Sequence, residues 1–193
     1  MKFLHTADWQ LGMTRHFLED DSQARYSAAR RDAIVAIGAL ARETGAEFVV
    51  VAGDVFDANQ LAPKVISQSL DAMRAIDVPV YLLPGNHDPL DAASVYTSAL
   101  FLADCPDNVT VLDRAGAWEV RPGLEIVAAP WRSKKPTTDL TAGVLADLEA
   151  DFTEQKHAVD VTLAQLFRAL KTHYQHRDRL KLLIAHRRTY LDV

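Results

Sequence analysis

Residues 78–91 read VPVYLLPGNHDPLD. An apolar run of β type ends at Leu83, and Pro84 and Gly85 turn the chain just before Asn86, His87 and Asp88 follow in succession. Turn chemistry accounts for Pro84, Gly85 and Asn86, since these residues supply the backbone angles of a sharp reversal. It does not account for His87. A buried strand that stops in a row of polar side chains points to a site at the carboxyl end of a sheet, where loops gather distant parts of the chain.

The pattern recurs upstream. Lys2 to Ala7 forms a short strand followed by Asp8, Trp9 and Gln10, and EFVVVAGD (47–54) is a β-branched strand ending in Gly53 and Asp54, with Asp57 three residues on. Between the two, Tyr26, Ala29, Ala33, Ile37 and Leu40 recur at helical spacing. Pro63 suits the first turn of a second helix whose apolar face is Val65, Ile66, Leu70 and Met73. Alternating strands and helices predict a largely parallel sheet covered on both faces. After a short helix around 91–103, the stretches NVTVL (108–112), AWEV (117–120) and LEIVAAP (124–130) follow one another directly, with Pro122 and Gly123 marking a turn. They predict an antiparallel addition or a second sheet. The class is α/β.

With 193 residues, 49% of them hydrophobic, the chain can bury a substantial core. A net charge of −5 and a pI near 5.8 exclude indiscriminate binding to nucleic acid or anionic membrane, so any DNA contact must be local. Cys105 is the one cysteine and forms no intrachain disulfide. The opening MKFLHTAD lacks the apolar run of a signal peptide, and no stretch approaches the ~20 residues of a membrane-spanning helix. A cytoplasmic protein without membrane association is expected. All 8 Gly and all 8 Pro precede residue 150, while 151–193 carry 8 Lys+Arg against 5 Asp+Glu. This shift divides the chain into a core, 1–150, and a segment, 151–193. In the latter, Val159, Leu163, Leu166, Leu170 and Tyr174 share a helical face and LKLLIAH is a strand ending in His186.

Four strand ends thus carry groups able to hold a metal. Oxygen donors from Asp, Asn and Gln with an imidazole suit a hard divalent cation such as Mn²⁺ or Mg²⁺, and one cysteine excludes a thiolate zinc cluster. Taken singly, Asp54 reads as a cap or turn residue and His87 as a loop histidine. His5 reads as structural, and His16, His157, His173 and His176 as surface or packing residues. The ordered set DxQ, GDxxD and GNHD, each closing a β-type run, is what points to a hydrolytic metal site.

DWQ (8–10), GDVFD (53–57) and GNHD (85–88) resemble the first three signature motifs of the calcineurin-like metallophosphoesterases. HTADWQLG, GDVFD and LLPGNHD are most similar to the bacterial SbcD branch of DNA-repair nucleases, over about residues 1–135 including APWRSKK (129–135). The resemblance implies a layered α/β/β/α sandwich, a dinuclear Mn²⁺ centre with Mg²⁺ as the alternative, a DNA substrate, an SbcC-type ATPase partner and a possible homodimer. Carried onto this sequence, it makes Asp8 a ligand of the first metal, Asp54 the bridging carboxylate and Asn86 a ligand of the second. His87 would touch the phosphate, with Asp57 or Asp88 orienting its ring. Gln10 stands where the family has His, a weaker donor for the first metal. His186 is the candidate for a further histidine ligand, and no GHxH motif occurs before Val193, so the part after residue 150 is expected to be truncated or divergent. Arg132, Lys134 and Lys135, together with Arg187 and Arg188, favour a polyanionic substrate. The leading function is metal-dependent hydrolysis of DNA phosphodiesters. A phosphoesterase acting on a small nucleotide, or an inactive fragment of the nuclease, are the alternatives.

Overall fold

In the computed structural model, residues 1–146 and the strand at 180–184 are described. The elements run β1 (Leu4–Thr6), α1 (Asp20–Thr44), β2 (Val49–Ala52), α2 (Pro63–Arg74), β3 (Val80–Leu83), a 3₁₀ turn at Val95–Thr97, α3 (Ala99–Asp104), β4 (Val109–Val111), β5 (Gly116–Arg121), β6 (Leu124–Ala128) and β7 (Leu180–Ile184). The strands form two sheets. β1-β2-β3-β4 is parallel throughout, whereas β5 and β6 pair antiparallel and β7 adds to β6 in parallel.

The β-branched run of β2 explains the layering. Val49 and Val51 sit in one cluster with Ile34, Ala41, Ile66, Leu70, Met73 and Ile76 from the helical side. Phe48, Val50 and Ala52 fall in a second cluster with Tyr81, Leu83, Leu112, Leu124, Ile126 and Ala128, between the two sheets. Alternation along a strand sends successive side chains to opposite faces, and here both faces are covered. Each fully buried valine or leucine contributes about 1.5–3 kcal/mol. On the far face of the second sheet, Val127 and Ala129 pack against Val144 from a helical stretch at 140–146. Helix, sheet, sheet, helix is the order of layers, the α/β/β/α arrangement expected.

Three expectations change in detail. NVTVL, read with the later strands as an antiparallel addition or second sheet, instead supplies β4, which joins β3 in parallel in the first sheet. The buried residues of α1 are Ile34, Gly38 and Ala41, while Ala29, Ala33 and Leu40 lie exposed, so the core stripe is rotated from the one the apolar spacing suggested. Gly38 causes this: a Cβ there would lie 3.2 Å from Ile76 Cγ1, and close approach of α1 to the end of α2 uses a glycine that carries no hydropathy signal. The helix expected around 91–103 is split into the 3₁₀ turn and α3, with Ser98 capping α3 by accepting from Phe101 N. The helical face at 159–174 lies outside the described residues, as does His186; β7 accounts for the strand part of LKLLIAH. Among the described residues no helix is long and apolar enough to cross a membrane.

Candidate active site

Beyond the carboxyl ends of β1, β2 and β3 the three motif loops lie side by side. The parallel pairing of β1 with β2 runs on past the strands: Asp8 N donates to Gly53 O at 3.1 Å, Gln10 N to Asp54 O at 2.9 Å and Leu11 N to Val55 O at 2.9 Å. Asp57 N closes back on Leu11 O at 3.0 Å. Along this path Asp8 (φ 55°), Gln10 (φ 44°) and Asp54 (φ 53°) adopt left-handed backbone, and among the described residues they are the non-glycine residues that do. Such conformations are disfavoured for L-residues and concentrate where a site demands them.

The third loop is clamped to the second. His87 N donates to Asp54 Oδ1 at 3.0 Å. Gly85 lies so close that an added Cβ would overlap Asp54 Oδ1 and its backbone N and sit 3.0 Å from its Cγ. Glycine is what allows the two strand ends to touch. Asp54 and Asn86 are both buried. The His87 ring is turned to Asp57, with Nδ1 3.0 Å from the Asp57 carbonyl oxygen and 3.8 Å from its Oδ1. The carbonyl can only accept, so Nδ1 carries the proton and Nε2, across the ring, is left to meet a ligand.

Of the two acids considered for orienting His87, Asp57 is therefore the one beside the ring. Asp88 is wholly buried and its carboxylate is engaged elsewhere: Oδ1 accepts from Gly85 N at 2.8 Å, and Oδ2 from Phe56 N at 2.9 Å and the Tyr96 hydroxyl at 2.5 Å. Burial pushes its acid above the usual carboxylate range, against the pull of those three bonds, and burial likewise raises the Tyr96 phenol well above its ordinary value. Asp88 ties the GNHD turn to the GDVFD loop.

The basic residues stand on a loop rooted at the same place. Trp131 N donates to Pro84 O at 3.1 Å and Leu90 N to Trp131 O at 2.8 Å. Arg132, Lys134 and Lys135 extend from that root, all exposed, with Arg132 Nη2 donating to Asp113 O at 3.0 Å. His186, Arg187 and Arg188 lie outside the described residues. The motifs do not single out Asn59, whose side chain donates to Pro89 O and Asp91 Oδ1 and accepts from Val95 N. Tyr96 and Arg30 are further supports they miss. Asn59 lies two residues beyond GDVFD and was in that sense within reach of the motif; Tyr96 and Arg30 act across the fold and carry no local signal.

Among the described residues no three His, Cys, Asp or Glu side chains gather into a cage. The adjoining motif loops carry two carboxylates, Asp8 and Asp54, and two amides, Gln10 and Asn86. An all-oxygen set of this kind fits a hard divalent cation and not a soft one.

The family model for calcineurin-like phosphoesterases matches residues 1–185. The chain belongs to that family. Its fold is accordingly that of the metallophosphoesterases, a family of metal-dependent phosphoester hydrolases. Over 91 residues the chain is 33% identical to the DNA double-strand break repair protein Mre11 of Archaeoglobus fulgidus, covering 46% of this chain and 19% of that protein. Over 98 residues it is 34% identical to the SbcD component of the nuclease SbcCD from Bacillus subtilis, covering 49% of this chain and 24% of that protein. The matches thus span a quarter or less of the length of these curated relatives. A solved dimetal phosphatase from Danio rerio is similar at a TM-score of 0.48 and 15% identity, over 95% of this chain and 68% of that one.

Proposed function

We propose that this chain is the phosphoesterase core of a DNA-end nuclease and acts on phosphodiester bonds with two divalent cations, Mn²⁺ first among the candidates. The observation that carries this reading is the junction of the three motif loops, where His87 N binds Asp54 Oδ1 and the Asp8 and Gln10 amides bind the carbonyls of Gly53 and Asp54. Asp8 and Gln10 would hold one cation and Asn86 the other, with Asp54 shared between them and His186 a further candidate ligand. Bound there, the pair supplies activation of a water and neutralisation of phosphate charge.

The protein's own groups do the rest. His87, its Nδ1 proton fixed on the Asp57 carbonyl, presents Nε2 toward the substrate; when the ring is protonated, Nε2–H can hydrogen-bond a phosphate oxygen or give its proton to the leaving oxygen. Asp57 keeps the ring in place, and Asp88 keeps the turn that bears it. Arg132, Lys134 and Lys135 offer a local positive edge to a polyanionic strand on a chain that is negative overall. Residues 1–150 form the core and 151–193 its atypical continuation. An SbcC-type ATPase and a second copy of the chain are the proposed partners, and the cytoplasm the proposed compartment.

The test compares Mn²⁺-dependent cleavage of DNA oligonucleotides with hydrolysis of nucleotide monoesters, using Asp54→Asn as the blank. DNA cleavage that vanishes in the variant supports the reading. Turnover of monoesters alone transfers the site to a small-substrate phosphoesterase, and cleavage undiminished in Asp54→Asn removes the site from this place in the fold.

A further inference from the structure

Arg30 reaches from the middle of α1 to the turn that bears Asp8 and Gln10. Its Nη1 donates to the Trp9 carbonyl at 2.6 Å, and its Nη2 meets the Tyr26 hydroxyl at 2.5 Å and Met13 Sδ at 3.5 Å. Tyr26 precedes Arg30 by one helical turn, and the guanidinium lies 4.8 Å from the centre of its ring, so the fork is aimed before it meets Trp9.

Trp9 is the residue between two left-handed neighbours, Asp8 and Gln10. Strained residues on either side of a single residue persist only where the surroundings over-determine them. On the β2 side the constraint is backbone, through the carbonyls of Gly53 and Asp54. From the helical side, Arg30 holds the carbonyl between them. Trp9 itself is buried, its indole Nε1 donating to Thr6 Oγ1 at 3.1 Å.

The arginine is not satisfied throughout. Its Nε is buried with no hydrogen-bond partner, and a buried donor left unpaired costs stability. An unbranched apolar side chain would carry no such unpaired donor. What it would not supply is the bond to Trp9 O.

We propose that Arg30 is a positioning residue of the metal site, fixing the Asp8–Trp9–Gln10 turn in the backbone geometry from which both side chains project. The proposal rests on the reading of Asp8 and Gln10 as metal ligands, and it adds a group about 20 residues away in sequence that touches neither metal nor substrate. Partners that orient ligands in this way are worth about 10- to 100-fold in metal affinity.

The test is Mn²⁺ calorimetry and thermal melting of the metal-free protein for Arg30→Met, Arg30→Lys and Asp54→Asn. Arg30→Met is expected to bind Mn²⁺ about 10- to 100-fold more weakly, a loss beyond what any fall in its melting temperature accounts for. Arg30→Lys recovers part of that loss, since an ammonium can donate to one carbonyl but cannot also fork to Tyr26. Mn²⁺ binding within about twofold of normal in Arg30→Met overturns the proposal, and so does a loss that only follows a lowered melting temperature. If Arg30→Met does not fold, Arg30→Lys decides: weakened binding at an unchanged melting temperature supports the proposal, and unchanged binding overturns it. Asp54→Asn separates the two levels. If it too binds Mn²⁺ undiminished, the ligand reading fails; if it loses the metal while the Arg30 variants do not, the positioning role alone fails.

Discussion

Removing Asp88 should cost more stability than removing any other acid of the motifs, because three buried donors depend on its two oxygens. In Asp88→Ala, Gly85 N, Phe56 N and the Tyr96 hydroxyl all lose their acceptor in a place no solvent reaches. Each unpaired buried donor costs about 1–3 kcal/mol, so the variant should lose at least about 3 kcal/mol, a large share of the ~5–15 kcal/mol that holds a typical domain. Asp88→Asn keeps one acceptor oxygen. Turned toward Phe56 N and Tyr96, it leaves the new amide facing Gly85 N, donor against donor, and should cost about 1–3 kcal/mol. Tyr96→Phe removes one donor along with its bond and should cost about 1 kcal/mol. Urea denaturation at pH 7 gives the order. pH adds an independent check. Burial raises the folded acid above its unfolded value of about 4, so whatever stability its proton uptake contributes is complete below pH ~4 and declines as pH climbs through the raised value. Asp88→Asn has no such decline, and the stability gap between it and the unaltered chain should narrow as pH rises from about 4. A cost below about 1 kcal/mol for Asp88→Ala would refute the anchoring role, and a gap that ignores pH would show that burial does not raise this acid. Lost turnover at full stability would make Asp88 a catalytic group instead.

Gly85→Ala should weaken Mn²⁺ binding and lower stability by about 1–3 kcal/mol, as overpacking does, because the added methyl overlaps Asp54 Oδ1 and backbone N and must part the two strand ends; calorimetry and melting read both effects. Gln10→His should bind Mn²⁺ more tightly, since an imidazole nitrogen is a better donor than a neutral amide oxygen, and an unchanged affinity would take Gln10 out of the coordination shell. His87→Ala should leave Mn²⁺ binding nearly intact while cutting turnover by roughly 10²- to 10⁴-fold, whereas Asn86→Ala should weaken metal binding first. Equal loss of metal from the two variants would make His87 a ligand.

The parts of the fold that were plain in the sequence are those where one physical cause acts alone. β2 and β3 are buried on both faces and read as unbroken apolar runs, and the Gly-Asp and Gly-Asn-His-Asp endings mark where they stop. In α1 two causes compete. Ala29, Ala33 and Leu40 drew the predicted stripe to a face that is exposed, while the true contact runs through Gly38, which carries no hydropathy signal, against Ile76. Asp57 and Asp88 looked equivalent, one residue type on either side of His87's reach; what separates them is burial and the bonds from Phe56 and Tyr96, which only the tertiary structure sets. Arg30 was silent for the same reason, since it acts on a backbone carbonyl of another segment.

The strain in this protein falls where its family's chemistry is expected. Asp8, Gln10 and Asp54 each sit in left-handed backbone at a cost of about 1–2 kcal/mol, though a glycine at any of them would relieve it. A turn needing only to reverse the chain would take that relief. These three positions instead keep oxygen-bearing side chains, and the surrounding structure holds them: the Gly53 and Asp54 carbonyls accept from the Asp8 and Gln10 backbone amides, Arg30 holds Trp9 O, His87 N holds Asp54 Oδ1, and Asp88 holds the turn from which His87 comes. Contacts from separate parts of the fold thus hold three polar side chains in backbone that a glycine would adopt without strain, which is what the proposed site requires and a simple turn does not.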